Sequence, residues 1–507
     1  MSKVAEGTKK SLPGILLLSF STFIVCVAAP FTQVISFDLM FDLNAFPSEL
    51  YAWTFPIFVA GECASMGLCA ATIDRIGRRL PFLIGSILFI IFTALCAMSG
   101  NMTWFVVFRF LEGFGAGIII VVCIAQIFFD VEDKKDRYIA NGLMSLGFGG
   151  GMLVGVFAGR AFVDSIGWPV AFWIMAVMQA IVTYPCLQVL SRGERSEKKV
   201  DVPAAVLFTI AAGVFVFLLQ KIQLGWSLND VECVAVTAFL VLLMLLIVIA
   251  EFVNPDSIFH RKVHDARLTA VSMVFIVLLG VIDMGAVGFM VKVALFTYQM
   301  TVGQVGPYFF LLVAGAATTA ITISKVIDRT GHLPWFILSA ILSPIALLSM
   351  LLVREDDPFF MLGVHLFILG LAIGCLVSML NATIQNRTDK HNNGSIMSFA
   401  IMVRTLSLWL GYNFYQKIAD IYMENKIGGT VAQWNAILPV ELPSNTTLAN
   451  LLVTPLKDVI MALPGLSDQI ATIFAEGVGR GLSIGAVAFV VIAVPVSLLL
   501  IGRKKTL

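Results

Sequence analysis

The sequence predicts an all-α polytopic membrane protein: fourteen transmembrane helices, built as two six-helix halves with an inserted helix pair between them. Three observations predict it. Of 507 residues, 59% are hydrophobic and only 13% are charged, with a mean hydropathy of +0.94. Fourteen stretches each supply the roughly 20 apolar residues that a membrane-crossing helix needs. The chain also repeats itself with a period near 254 residues. A soluble domain is about half apolar and about a quarter charged. The shortfall of charge excludes an ordinary cytosolic enzyme, a nucleic-acid binder and a disordered chain. A net charge of +1 leaves no strongly basic surface for polyanions. None of the eight cysteines forms a C-x-x-C pair and nearly all lie in apolar runs, so they read as small buried hydrophobes.

The first half comprises spans near 11–37, 51–73, 80–99, 102–129, 138–162 and 168–190. The first is no cleaved signal peptide, because its apolar core far exceeds the ~7–15 residues of a signal sequence. Spans near 202–221 and 231–253 form the inserted pair. The second half follows near 267–292, 305–326, 333–353, 358–385, 392–415 and 478–502. The domains are therefore 1–190, 191–266 with its linkers, and 267–507. Residues 416–477 form an extracellular insert with four prolines and two amphipathic runs, near 446–463 and 466–478, read as a short helical hairpin on or above the membrane. With the N-terminus inside, 23 of the 33 Lys and Arg fall on the inner side and 8 on the outer; Arg109 and Arg404 lie within helices. That asymmetry predicts an even number of spans, with both termini cytoplasmic.

The repeat is specific. Ile73-Asp74-Arg75-Ile76-Gly77 recurs as Ile327-Asp328-Arg329-Thr330-Gly331, and Gly113…Gly117 recurs as Gly370…Gly374. Asp136-Arg137 with Met144-Ser145 recurs as Asp389-Lys390 with Met397-Ser398. Duplicated helical halves are the architecture of secondary transporters, with the substrate site near the midplane between them.

The loop after the second span reads Asp74-Arg75-Ile76-Gly77-Arg78-Arg79. Gly77 permits a tight turn. Asp74 can face a neighbouring helix N-terminus, and Arg78 can pair with Asp130 or Glu132. Such contacts would latch one conformation at the cytoplasmic face; a plain positively charged turn is the other reading. This loop resembles the signature loop of the major facilitator superfamily. Arg109-Phe110-Leu111-Glu112-Gly113-Phe114-Gly115-Ala116-Gly117 resembles that family's fourth-helix motif. Gly147, Gly151, Gly155 and Gly159, followed by Gly167-Trp168, resemble its fifth-helix glycine motif. Fourteen spans and a long outer loop before the last resemble the fourteen-helix drug:proton antiporter branch, which includes quaternary-ammonium exporters. There are departures. Ala70 stands where the loop's leading Gly belongs, Val156 where the fifth-helix Pro belongs, and Ser21 where the branch commonly carries a first-helix acid.

Charge inside a bilayer is costly and usually marks a pair or a wet cavity. Arg109 and Glu112 share one helix face, and the resemblance places Arg109 on the cavity. Glu62, Glu112 and Asp283 are the candidate proton-coupling acids, because desolvated carboxylates can exchange protons near neutral pH. Arg404 resembles an Arg of the same helix in the branch and reads equally as cavity lining or structural pairing. The substrate-site candidates are thus Arg109, Glu112 and Arg404. The gating candidates are Asp74, Arg75, Gly77, Arg78, Arg79, Asp328 and Arg329, and Gly147, Gly151, Gly155 and Gly159 serve close packing or gating.

No catalytic motif, ATP site, metal site or cofactor site emerges, so the chain is not expected to be an enzyme. The resemblance implies a monomeric exporter of a small hydrophobic organic compound, driven by protons across the plasma membrane by alternating access. A specific carrier, an importer or lipid or organic-anion translocator using Arg109, is the alternative. A membrane sensor or scaffold without transport is the third reading. On the first reading, Glu112→Gln abolishes coupled transport and leaves folding intact.

Overall fold

A computed structural model describes residues 2–45, 49–134, 136–190, 201–227, 229–254, 265–288, 302–350, 359–389, 392–427 and 464–500. The chain is a bundle of α-helices. The first half contains α1 (Ser2–Val34), the short α2 (Ser36–Asp42), a 3-10 turn (Glu49–Trp53), α3 (Pro56–Ile76), α4 (Arg79–Ala97), α5 (Met102–Asp130), α6 (Asp136–Ile166) and α7 (Trp168–Val189). The inserted pair is α8 (Val202–Gln223) and α9 (Val231–Val253). The second half contains α10 (Ala266–Leu278), which continues through a π-helical turn (Leu279–Met284), then α11 (Val302–Thr330), α12 (Leu333–Ser349), α13 (Phe359–Arg387), α14 (Asn393–Ile427) and α15 (Pro464–Leu498). Among the described residues, thirteen helices are long and apolar enough to cross a membrane. The remaining expected span is α12, a 17-residue apolar helix about 26 Å long.

Local chemistry sets the helix ends. The side chains of Asn101, Asp201 and Asp265 accept a backbone N–H from Trp104, Ala204 and Leu268, capping α5, α8 and α10. Gly77 and Gly331 both adopt positive φ, at 86° and 72°, in the same turn of the two halves. Only glycine takes that conformation without strain.

The repeated glycines make one helix crossing twice. A side chain on Gly113 would strike the Phe58 carbonyl of α3, and one on Gly117 would strike the Glu62 carbonyl. In the second half, Gly370 and Gly374 of α13 abut the Leu312 and Ala316 carbonyls of α11 in the same way. The stripe on α6 works likewise against α1. Gly147, Gly151 and Gly155 lie against the Ser19, Phe23 and Val27 carbonyls, and Gly159 lies against the Phe31 ring. Small residues let the backbones approach this closely.

The inserted pair packs on one side of the bundle. On the first half, Thr209 of α8 donates to the Ala64 carbonyl of α3 at 3.0 Å, and Gln220 donates to the Ala52 carbonyl at 3.1 Å. On the second half, Gln223 donates to Asp420 of α14 at 3.2 Å, and the Phe208 ring meets Phe399 at 5.4 Å. α8 thus lies across the seam where α3 meets α14. α9 turns large apolar side chains such as Val231, Phe252 and Val253 outward, where lipid can cover them.

One expectation needs correction. The described flanks of the 416–477 insert are not a hairpin separate from the bundle. α14 runs on to Ile427 and α15 already begins at Pro464, so the amphipathic run near 466–478 is the first part of the last helix. The two extensions pack on each other, with Arg480 over the Tyr422 ring at 4.3 Å. Tyr422 also donates to Glu476. The run near 446–463 lies outside the described residues. All eight cysteines are buried and free of disulfides.

Candidate functional site

Between the halves lies a cavity whose empty space, counting the part open to solvent, is about 1250 Å³. Its first-half wall comes from α1, the turn before α3, and α6, with Pro30, Gln33, Phe55, Ser145, Phe148 and Met152. Its second-half wall comes from the end of the π turn of α10 and the residues after it, α11, α13 and α14, with Met284, Leu312, Ile373, Ser378, Arg404 and Tyr412. Glycines keep it open. A side chain at Gly149 would find nothing within 4 Å.

Among the described residues, Arg404 is the one Lys, Arg, Asp or Glu on these walls. It is 4% exposed, and its Nε and Nη2 have no hydrogen-bond partner. Its guanidinium stacks over the Phe148 ring, 4.8 Å from the ring centre. Glu62 of α3 acts on it electrostatically, but no ion pair between the two occurs among the described residues. Glu62 is itself 5% exposed and stands behind the cavity wall rather than on it.

The structure places Arg109 elsewhere. It is fully buried inside the first half, with no exposed surface. It donates to Glu112 at 2.7 Å, to the Thr54 carbonyl at 3.2 Å, to the Ala28 carbonyl at 3.1 Å and to Thr32 Oγ1 at 3.2 Å. Glu112 also accepts from Thr93 Oγ1 of α4 at 2.9 Å. The pair ties α1, α4, α5 and the turn before α3 together. Neither residue lines the cavity, which corrects the cavity placement drawn from the resemblance. The face shared by positions 109 and 112 points into the first half because α1 and α4 cover it.

Asp283 occupies the π turn of α10. It accepts from Ser343 Oγ at 2.9 Å, while its Oδ1 has no partner. Tyr415 donates to the neighbouring Ile282 carbonyl at 3.0 Å. Such turns occur often at functional sites. Ser21 shares a buried knot with Gln179 of α7, which donates to it at 3.0 Å.

The face bearing Asp74 is sealed between halves. The Asp74 carboxylate accepts the Gly394 and Ser395 N–H groups of α14 at 2.9 and 2.8 Å. Arg137 donates to Asn386 at 2.9 Å, Asn141 to Gln385 at 2.7 Å, and Gln385 to the Ile124 carbonyl at 3.0 Å. Tyr138 Oη meets His332 Nε2 at 3.2 Å. Burial, aided by the Arg387 charge, pulls the His332 ring from its ordinary 6.5 to about 4, so it is neutral here. Arg78 reaches Gln126 at 2.8 Å, and Gln126 donates on to Asp130 at 2.7 Å; the Arg78 guanidinium lies 3.4 Å from the Phe129 ring centre. Burial lowers its pKa, against the Asp74 and Asp130 charges. Arg75 donates to the Ala71 carbonyl of its own helix, and Arg79 and Arg329 are exposed. The Asp328 side chain lies outside the described residues. On the opposite face, Gln33 donates to Tyr412 at 2.6 Å and Phe55 packs on Trp409.

Sequence reasoning missed Phe148, Gln33, Tyr412 and Gly149. Uncharged residues in apolar helices carry no mark of the face they use. The one available signal was Gly149-Gly150-Gly151, which leaves two glycines beyond the four-residue stripe.

A helical membrane bundle of two duplicated halves around a central cavity defines the transporter class. The family described as Major Facilitator Superfamily matches residues 12–412, and the chain belongs to that superfamily. Its relatives are distant. Multidrug resistance protein 3 of Bacillus subtilis is 22% identical over 433 residues, covering 82% of this chain and 80% of that protein. The riboflavin transporter RibZ of Clostridioides difficile is 24% identical over 381 residues, covering 72% and 78%. A solved bacterial homologue of the human lysosomal transporter Spinster, inward-facing and unoccupied, superposes with a TM-score of 0.56 at 15% identity. That comparison covers 97% of this chain and 96% of the other. The chain is a multi-pass membrane transporter and not an enzyme.

Proposed function

We propose that the chain exports a small, largely apolar organic compound across the plasma membrane by alternating access, at the expense of the proton gradient. The cavity between the halves is the observation that carries this reading. It is walled by Phe, Met and Leu side chains with a few polar groups, the composition of small-molecule sites. The relative named for multidrug resistance supports the export direction. The termini and the Asp74 face are cytoplasmic on this reading, following the basic residues. The sealed Asp74 face and the cavity beyond it are two parts of one rocking cycle. Glu62 is the acid best placed for coupling, because its charge and the cavity's Arg404 act on each other. Asp283 is the second candidate, beside the cavity residue Met284.

The test is dye efflux from energised cells expressing the protein, with and without a protonophore. Efflux above the vector control that the protonophore stops supports the reading. Gly149→Leu should fill the cavity and end efflux at normal expression, since a side chain there meets open space. Glu62→Gln should end protonophore-sensitive efflux. Unchanged flux in the Gly149→Leu protein would remove this cavity from the pathway.

A further inference from the structure

We infer that the cavity takes an organic monoanion, an apolar body carrying one planar or tetrahedral oxyanion, and that Arg404 binds the anionic group. The inference rests on the proposed substrate cavity and goes further, to the charge of what fills it.

A buried guanidinium with unmatched donors is expensive. A buried donor left unsatisfied loses its hydration without recompense, and the loss is greater for a charged group. A chain that needed Arg404 only for packing would surround it with acceptors, as it surrounds Arg109 with Glu112, two backbone carbonyls and Thr32. Arg404 has no such cage. Its Nε and Nη2 are without hydrogen-bond partners, one face lies over the Phe148 ring, which accepts no hydrogen bond from them, and it borders open volume. The fork of N–H groups matches two oxygens of a carboxylate or sulfonate. Among the described residues, the remaining walls offer only neutral polar groups, including Gln33, Ser145, Ser378 and Tyr412. A second charge on the ligand would find no counterpart there. Glu62, the acid acting on Arg404 from behind the wall, would then compete with the bound anion for the same guanidinium.

The experiment compares two fluorescent probes with one skeleton: 1-anilinonaphthalene-8-sulfonate, which is anionic at every working pH, and neutral N-phenyl-1-naphthylamine. Binding to the full chain in nanodiscs is read as saturable fluorescence above empty nanodiscs. The wild type should bind the sulfonate about tenfold more tightly than the neutral probe, the equivalent of ~1.4 kcal/mol. Arg404→Gln should erase that preference while moving the neutral probe by less than about twofold. Arg404→Lys, which keeps the charge and loses the fork, should fall between. Gly149→Leu should weaken both probes, placing them in the cavity. Equal affinity of the two probes for the wild type overturns the inference without any variant. So does a sulfonate preference that survives Arg404→Gln. Saturable binding of the neutral probe with no sulfonate preference leaves the cavity reading standing and removes only the anion. Failure of both probes to bind removes the cavity reading as well.

Discussion

Two buried arginines show how far one residue type can differ between sites. Arg109 has a carboxylate and four further acceptors, whereas Arg404 has an aromatic face and empty volume. Breaking a buried ion pair by removing one partner typically costs about 3–5 kcal/mol. Glu112→Gln should therefore lower the thermal midpoint of the purified protein markedly, rather than leave folding intact as the sequence alone suggested. Arg404→Gln should leave the midpoint unchanged or raise it, because it removes an unsatisfied charge. Unfolding curves of the two variants in one detergent check both signs. Sequence showed that both arginines sit in apolar spans, and no more. Which face of α5 meets α1 is decided by packing across 80 residues of chain, and a single span carries no record of it.

Within elements, the glycines of α6 divide by what they touch. Gly151 abuts the Phe23 carbonyl, so Gly151→Ala must push α6 off α1 and should cost about 1–3 kcal/mol. Gly149→Ala meets nothing and should gain about 0.5–1 kcal/mol from helix propensity. Melting of the two variants separates the packing glycine from the cavity glycine. Asp74 caps α14 through two N–H groups. Asp74→Asn should weaken that cap and shift the protein toward opening on this face, read as faster labelling of a cysteine placed at Ser395. The spans themselves were legible, since twenty apolar residues have few other uses. The four-residue glycine period likewise announced a close crossing, though not its partner helix. The flanks of the 416–477 insert were misread because the polar residues there interrupt hydropathy without interrupting the helix. Helical pairing of Tyr422 with Glu476 and Arg480 depends on contacts across the insert.

For the whole molecule, the seal on the Asp74 face should make closure depend on pH. His332 is neutral in the closed arrangement, with its pKa at about 4 against an ordinary 6.5. Between those values an opened or unfolded chain binds a proton that the closed one refuses. The stabilisation is therefore complete above about pH 6.5 and is lost progressively as pH falls toward 4. Melting midpoints should drop between about pH 7 and pH 5 in the wild type and drop less in His332→Gln. An equal drop in both would assign the pH response to other groups.

The position of α8 makes the two sides of the bundle unequal. It lies across the α3–α14 seam and holds residues of both halves, and α9 lies outside it. The opposite seam, where α6 meets α11, has no such cover among the described residues, and Gly142 and Ala320 touch across it. An amphiphile already dissolved in the bilayer would therefore meet a roofed wall on one flank and a sliding joint on the other.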